Sequence, residues 1–64
     1  MHDLKETPAM ASVIKLARSR GISYSWISAS YGSLNFGRIA DVVKGRLFPD
    51  VPMANSLPAD FPKP

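Results

Sequence analysis

No cysteine occurs anywhere in the 64 residues, and that absence closes most of the routes by which so short a chain becomes stable. A chain of this size buries only about 60% of its unfolded surface. Natural domains this small are commonly held by disulfides, a bound metal or a partner subunit. Without cysteine there are no disulfides, no thiolate zinc ligands and no cysteine nucleophile. The single histidine, His2, stands beside Met1, where order is least expected. A zinc site therefore has almost no ligands to draw on, and neither a metal nor another cofactor is expected. Tight packing of helices, or self-association, is what remains.

Apolar residues are spread along the chain in runs of two or three, far below the roughly twenty that span a bilayer. Met1 is followed by His2, Asp3 and Glu6 instead of the basic start and apolar run of a signal peptide. The expectation is a cytoplasmic, nucleoid-associated protein with no membrane partner. The net charge of +3 is unevenly placed. Between residues 15 and 46 lie Lys15, Arg18, Arg20, Arg38, Lys44 and Arg46, opposed by Asp41 alone, a net +5. Asp3, Lys5, Glu6, Asp50, Asp60 and Lys63 leave the flanks at −2. A basic middle between acidic ends suits a domain that faces a polyanion, although mildly basic small domains are common.

Three helical signals follow one another. Thr7 and Pro8 suit a cap and first helical position, because proline's missing N–H has no helical partner there. Met10, Val13, Ile14 and Ala17, widened by Leu16, then recur at helical spacing, and Gly21 ends the helix after Arg18, Ser19 and Arg20. Ser23 is expected to cap a second helix reaching Tyr31 before Gly32, with Ile22, Trp26, Ile27 and Ala29 as its apolar residues. Its serines and aromatics are mediocre helix formers, so packing must hold it. Asn35 is expected to cap a third helix from Phe36 to Lys44, closed by Gly45. Its buried stripe is expected at Phe36, Ile39, Ala40 and Val43, with Asn35, Arg38, Asp41 and Lys44 on a charged one.

From Pro49 onward the chain changes character: Pro49, Pro52, Pro58, Pro62 and Pro64 forbid a continuous helix and favour an extended path. The composition fits a disordered tail, and equally an ordered arm in which Val51, Met53, Leu57 and Phe61 dock on this domain or on a second copy. The expected organisation is a flexible stretch over 1–6, a helical domain over 7–48 and a proline-rich arm over 49–64.

The second and third helices are joined by Gly32, Ser33 and Leu34. A helix, a short glycine-containing turn and a second capped helix make a helix-turn-helix arrangement. Glycine takes positive φ there without strain, and the small Ser28, four residues earlier, lets the helices approach. The fold expected is all-α: a three-helix helix-turn-helix domain with an extended arm.

The stretch YGSLNFGRIADVVKGRLFPDVP, residues 31 to 52, resembles the helix-turn-helix segments of small phage and mobile-element DNA-binding proteins. It is also similar to the modules appended to phage HNH homing endonucleases. The resemblance is carried by Tyr31, Gly32, Gly37, Arg38, Ile39, Val42, Lys44, Gly45, Arg46 and Phe48. It implies that the third helix is a recognition helix and that the Gly45–Arg46 turn grips backbone phosphate. One departure is an extra residue between Gly32 and Ile39, which implies a looser turn.

Groove chemistry assigns roles to the candidates. Asn35, Gly37 and Arg38 fall at the start of the third helix, where base edges are met. Arginine forks onto guanine O6 and N7, asparagine onto adenine N6 and N7, and Gly37 lets the backbone come close. Lys44 and Arg46 suit phosphates, which orient without reading sequence. Ser23, Tyr24, Ser25 and Ser33 can donate to a phosphate near the second helix or the turn. Each has a plainer alternative. Arg38, Asp41 and Lys44 form a solvated ion-pair stripe, Asn35 is only a cap, and Tyr24 and Tyr31 pack between helices. Trp26 fits a core or dimer interface better than a nucleic-acid platform. Asp41 either accepts from cytosine N4 or holds Arg38, and the second is preferred.

Catalysis has little support. A nucleophilic serine needs an oriented base, which His2 in a flexible terminus does not provide, the carboxylates are scattered, and no phosphate-binding glycine loop is present. The expectation is a non-enzymatic, sequence-specific binder of double-stranded DNA acting as a homodimer. It is read as a small transcriptional regulator of a phage or mobile element, without a small-molecule ligand. The alternatives are a protein-interaction adaptor or antirepressor, and a non-specific DNA-packaging or architectural protein.

Overall fold

Each helix begins where a side chain can satisfy the open backbone N–H groups and ends where the chain can turn left-handed. In the computed structural model, which describes residues 7–32, 34–59 and 61, helices α1 (Pro8–Ser19), α2 (Tyr24–Ser30) and α3 (Phe36–Val43) follow in order, with no strand among the described residues. Thr7 Oγ1 accepts from the Met10 N–H at 3.2 Å, and Ser23 Oγ from the Trp26 N–H at 3.2 Å. Asn35 Oδ1 accepts from the N–H groups of Gly37 and Arg38 at 2.7 and 3.4 Å. These are the three capping residues expected from the sequence. At the far ends, Gly21, Gly32 and Gly45 take φ of +80°, +69° and +81°, a region closed to most side chains. The stretch 1–6, expected to be flexible, lies outside the described residues.

The termini of α1 and α3 share one geometry. After α1 the Ile22 N–H bonds to Ala17 O and the Gly21 N–H to Arg18 O. After α3 the Arg46 N–H bonds to Asp41 O and the Gly45 N–H to Val42 O. Both are Schellman motifs, in which the chain doubles back over the last helical turn.

The core gathers Ala11, Ile14 and Ala17 of α1, Ile27 of α2, Leu34 of the turn, and Ile39 and Val42 of α3, all essentially inaccessible. Ser28 anchors the turn between α2 and α3. Its hydroxyl donates to Leu34 O at 2.7 Å while its own carbonyl accepts the Leu34 N–H at 3.2 Å. Both backbone groups of Leu34 are thereby satisfied inside the protein, where an orphaned one costs about 1–3 kcal/mol.

That anchor sets the rotation of α3 and corrects the stripe read from periodicity. Ile39 and Val42 face inward, whereas Phe36 and Val43 are 51% and 37% exposed. With Leu34 fixed in the core directly before the helix, the inward line runs through Ile39 and Val42, and Phe36 is tipped outward.

The chain after α3 folds back along α1. Ser12 Oγ donates to Pro52 O at 2.9 Å, and the Ala54 N–H donates to Ser12 O at 3.0 Å. Lys15 Nζ donates to two carbonyls, Phe48 O at 2.7 Å and Val51 O at 2.6 Å. Phe48 itself holds φ +51°, a conformation that costs a non-glycine residue about 1–2 kcal/mol. Its carbonyl is held from two sides, by Lys15 and by the Val51 N–H at 3.1 Å. Phe61 is buried in the core with its ring tilted against Tyr31, centroids 6.3 Å apart, and Val51 and Leu57 pack against the same core. These apolar residues cover the domain's own surface, one of the two docking places that the sequence left open; Met53 remains 48% exposed.

Replacing Lys15 with Met keeps the apolar stem and removes all three donors. We expect a loss of about 1–3 kcal/mol, the worth of hydrogen bonds from a charged group. A melting temperature lower by about 5–15 °C in a thermal scan is the corresponding readout. An unchanged melt would show that apolar contacts alone keep the arm in place.

Candidate nucleic-acid interface

What lies beneath α3 defines its outer side. With Ile39 and Val42 buried and about 100° between successive residues, the opposite side carries Gly37, Asp41 and Lys44. Arg38 lies on one flank, Phe36 and Ala40 on the other. Asn35, Phe36, Gly37, Arg38, Lys44 and Arg46 are exposed, as is Arg20 at the end of α1.

Asn35 has a narrower role than its residue type suggests. Its Oδ1 receives two backbone N–H groups, one at 2.7 Å and a longer one at 3.4 Å. Bidentate recognition of adenine uses that oxygen as an acceptor, so a base would have to share it with the cap, whose short bond is the one from Gly37. Gly37 belongs to the same arrangement. A Cβ there would sit 3.0 Å from Asn35 Oδ1, so the bare glycine makes room for the cap as well as lowering the surface.

Asp41 corrects a pairing. Its carboxylate accepts from Arg46 Nη1 at 3.0 Å, and among the described residues this, not Arg38, is the partner found. The Schellman geometry is the reason. It folds the second residue past the helix over the third from its end, which here lays Arg46 beside Asp41. The apolar contact usual at that place is replaced by an ion pair, a signal already present in the order D-V-V-K-G-R. The Arg46 side chain stays 65% exposed, so the pair is a weak one that positions the guanidinium more than it neutralises it.

Two cations credited to the basic middle are engaged within the fold. Lys15 is tied to the arm. Arg18 donates from Nη1 to Ile22 O at 2.6 Å, and its guanidinium lies 4.7 Å from the centre of the Tyr24 ring. Tyr24 is half-buried and meets the Phe36 ring edge-on at 6.2 Å; its packing role, set beside a phosphate contact in the sequence reading, is the one its ring performs. Ser23 serves as the α2 cap and lies 3.3 Å from Ser25, hydroxyl to hydroxyl. Both serines are exposed. Ser33 falls outside the described residues.

Between the ends of α1 and α3 lies an open cleft of about 520 Å³, lined by Lys15, Arg18, Lys44, Val43 and Met53 among others. No described helix is long and apolar enough to cross a membrane. No protein-family model, curated protein or solved structure matches the chain. The functional reading therefore rests on the geometry of α3 and its surroundings.

Proposed function

We propose that the protein binds double-stranded DNA sequence-specifically through α3, as a small, non-enzymatic regulator of transcription of the kind phage and mobile elements carry. The observation that carries this reading is the placement of Arg38, Lys44 and Arg46 on an exposed helix and its terminal turn. The opposite side of that helix is locked into the core by Leu34, Ile39 and Val42. A helix anchored this way presents its first turn as a rigid body, and the first turn is the part that meets base edges in helix-turn-helix docking. Arg38 stands in that turn and reads guanine; Lys44 and Arg46, at the other end, meet phosphate. Two copies on a two-fold axis would read two half-sites and raise specificity.

Selection from a random duplex library tests binding and specificity together. On the selected duplex, Arg38→Ala should reduce discrimination against non-cognate DNA by about 1–3 kcal/mol, whereas Arg46→Ala should weaken cognate and random duplexes alike. Equal losses for Arg38→Ala on both would reduce Arg38 to a phosphate contact. Steep salt dependence without an enriched sequence would favour an architectural protein. A second reading, an adaptor that docks on a protein, draws on the exposed Val43 and Met53; binding to duplex DNA that ignores salt, or none at all, would favour it.

A further inference from the structure

We infer that Phe36 is a specificity-determining residue of this interface, its exposed ring meeting the C5-methyl group of a thymine in the major groove; the inference rests on the DNA-binding reading of α3. Phe36 is the first residue of α3 and is 51% exposed. Phenylalanine is a mediocre helix former, so local helix propensity does not account for it there, and the core is filled by Leu34, Ile39 and Val42 without it. The ring is nevertheless held. It packs edge-on against Tyr24, with centroids 6.2 Å apart and planes at 76°. Tyr24 is covered by the Arg18 guanidinium at 4.7 Å, and Arg18 is fixed by its bond to Ile22 O at 2.6 Å. A ring braced from behind keeps its outer part toward solvent and loses little side-chain freedom when it is covered.

Its neighbours narrow what can cover it. Asn35, Gly37 and Arg38 make the adjoining surface polar and cationic, and Gly37 has no side chain to hold a groove wall away. In the major groove, the apolar group that a base pair presents is the thymine methyl. Stacking on a base would first require the duplex to unstack, at a cost of a few kcal/mol per step, whereas contact with a methyl edge requires no such opening. The ring and Arg38 project from opposite flanks of α3, so the two read different base pairs.

The test replaces each thymine of the selected duplex, one at a time, with deoxyuridine, which preserves pairing and removes only the methyl. Fluorescence anisotropy then gives Kd for the wild-type protein, Phe36→Ala and Phe36→Leu, with circular-dichroism melts confirming that the variants fold. At one thymine the wild type should weaken about three- to fivefold, the worth of one methyl group withdrawn from water. Phe36→Ala should bind the thymine duplex more weakly by a similar factor and lose its response to that methyl, while Phe36→Leu should keep part of it. A wild type indifferent to every deoxyuridine overturns the assignment and leaves DNA binding by α3 standing. So does a Phe36→Ala variant that retains the full methyl response, as it would if the ring served a protein partner. A library that yields no enriched duplex overturns both.

Discussion

Raising the salt concentration fourfold should weaken binding to duplex DNA by about 150-fold, with a slope near −3.6 in log affinity against log salt. Each phosphate neutralised by a cation releases condensed counterions, and the slope counts those contacts at about 0.9 apiece. The net charge of the basic middle would suggest about five contacts, a slope near −4.5 and a loss of several hundredfold. Counted as cations there are six, and the structure leaves four of them, because Lys15 Nζ donates to two backbone carbonyls and Arg18 Nη1 to a third. Arg20, Arg38, Lys44 and Arg46 are exposed and set the slope. Arg46 still counts, since an ion pair as exposed as the one with Asp41 contributes at most about 1 kcal/mol and yields to a phosphate. Anisotropy titrations across the salt range measure the slope directly. A value steeper than −4.5 would mean that Lys15 and Arg18 leave their carbonyl partners on binding. A flat line would move the protein to the adaptor reading.

Ile39→Ala should remove a large part of the domain's stability and lower its urea midpoint accordingly. Ile39 is wholly inaccessible and belongs to the cluster that joins the three helices, and truncating such a residue costs about 2–5 kcal/mol in lost burial and residual cavity. A domain of this length is stable by about 3–10 kcal/mol in total, so the cost is comparable with the whole. Ile39→Val removes one methylene and should cost about 1 kcal/mol. The pair of variants, followed by far-ultraviolet circular dichroism in urea, separates a cavity effect from a general intolerance of change at this position. Cooperative unfolding of Ile39→Ala at a urea midpoint close to the wild type would show that the core closes around the gap.

The helices were legible because their limits are written in local chemistry. Thr7, Ser23 and Asn35 cap through their own side chains, and Gly21, Gly32 and Gly45 permit the left-handed exit, so neighbouring residues contain the whole signal. The outward placement of Arg38 and Lys44 was legible for the same reason. The rotation of α3 was not. Val42 and Val43 are adjacent and equally apolar, and choosing between them requires knowing that Ser28 fixes Leu34 from the preceding helix. Asn35 kept its expected place as the cap, and there its Oδ1 is shared with the N–H groups of Gly37 and Arg38. Asp41 was assigned by helical spacing to Arg38, while the chain reversal at Gly45 delivered Arg46. Lys15 was hardest to read: nothing near it in sequence distinguishes a solvated lysine from one that holds Phe48 and Val51, more than thirty residues away.

The way the last quarter of the molecule is fastened to the first bears on how it is made. Ser12 and Lys15 meet partners between residues 48 and 54, and the Phe61 side chain completes the interior. Synthesis delivers α1 first, and the side that Ser12 and Lys15 present stays uncovered until residues 48 to 54 have followed. Chains that stop short of residue 48 should therefore leave that side of α1 uncovered and be early substrates for proteases.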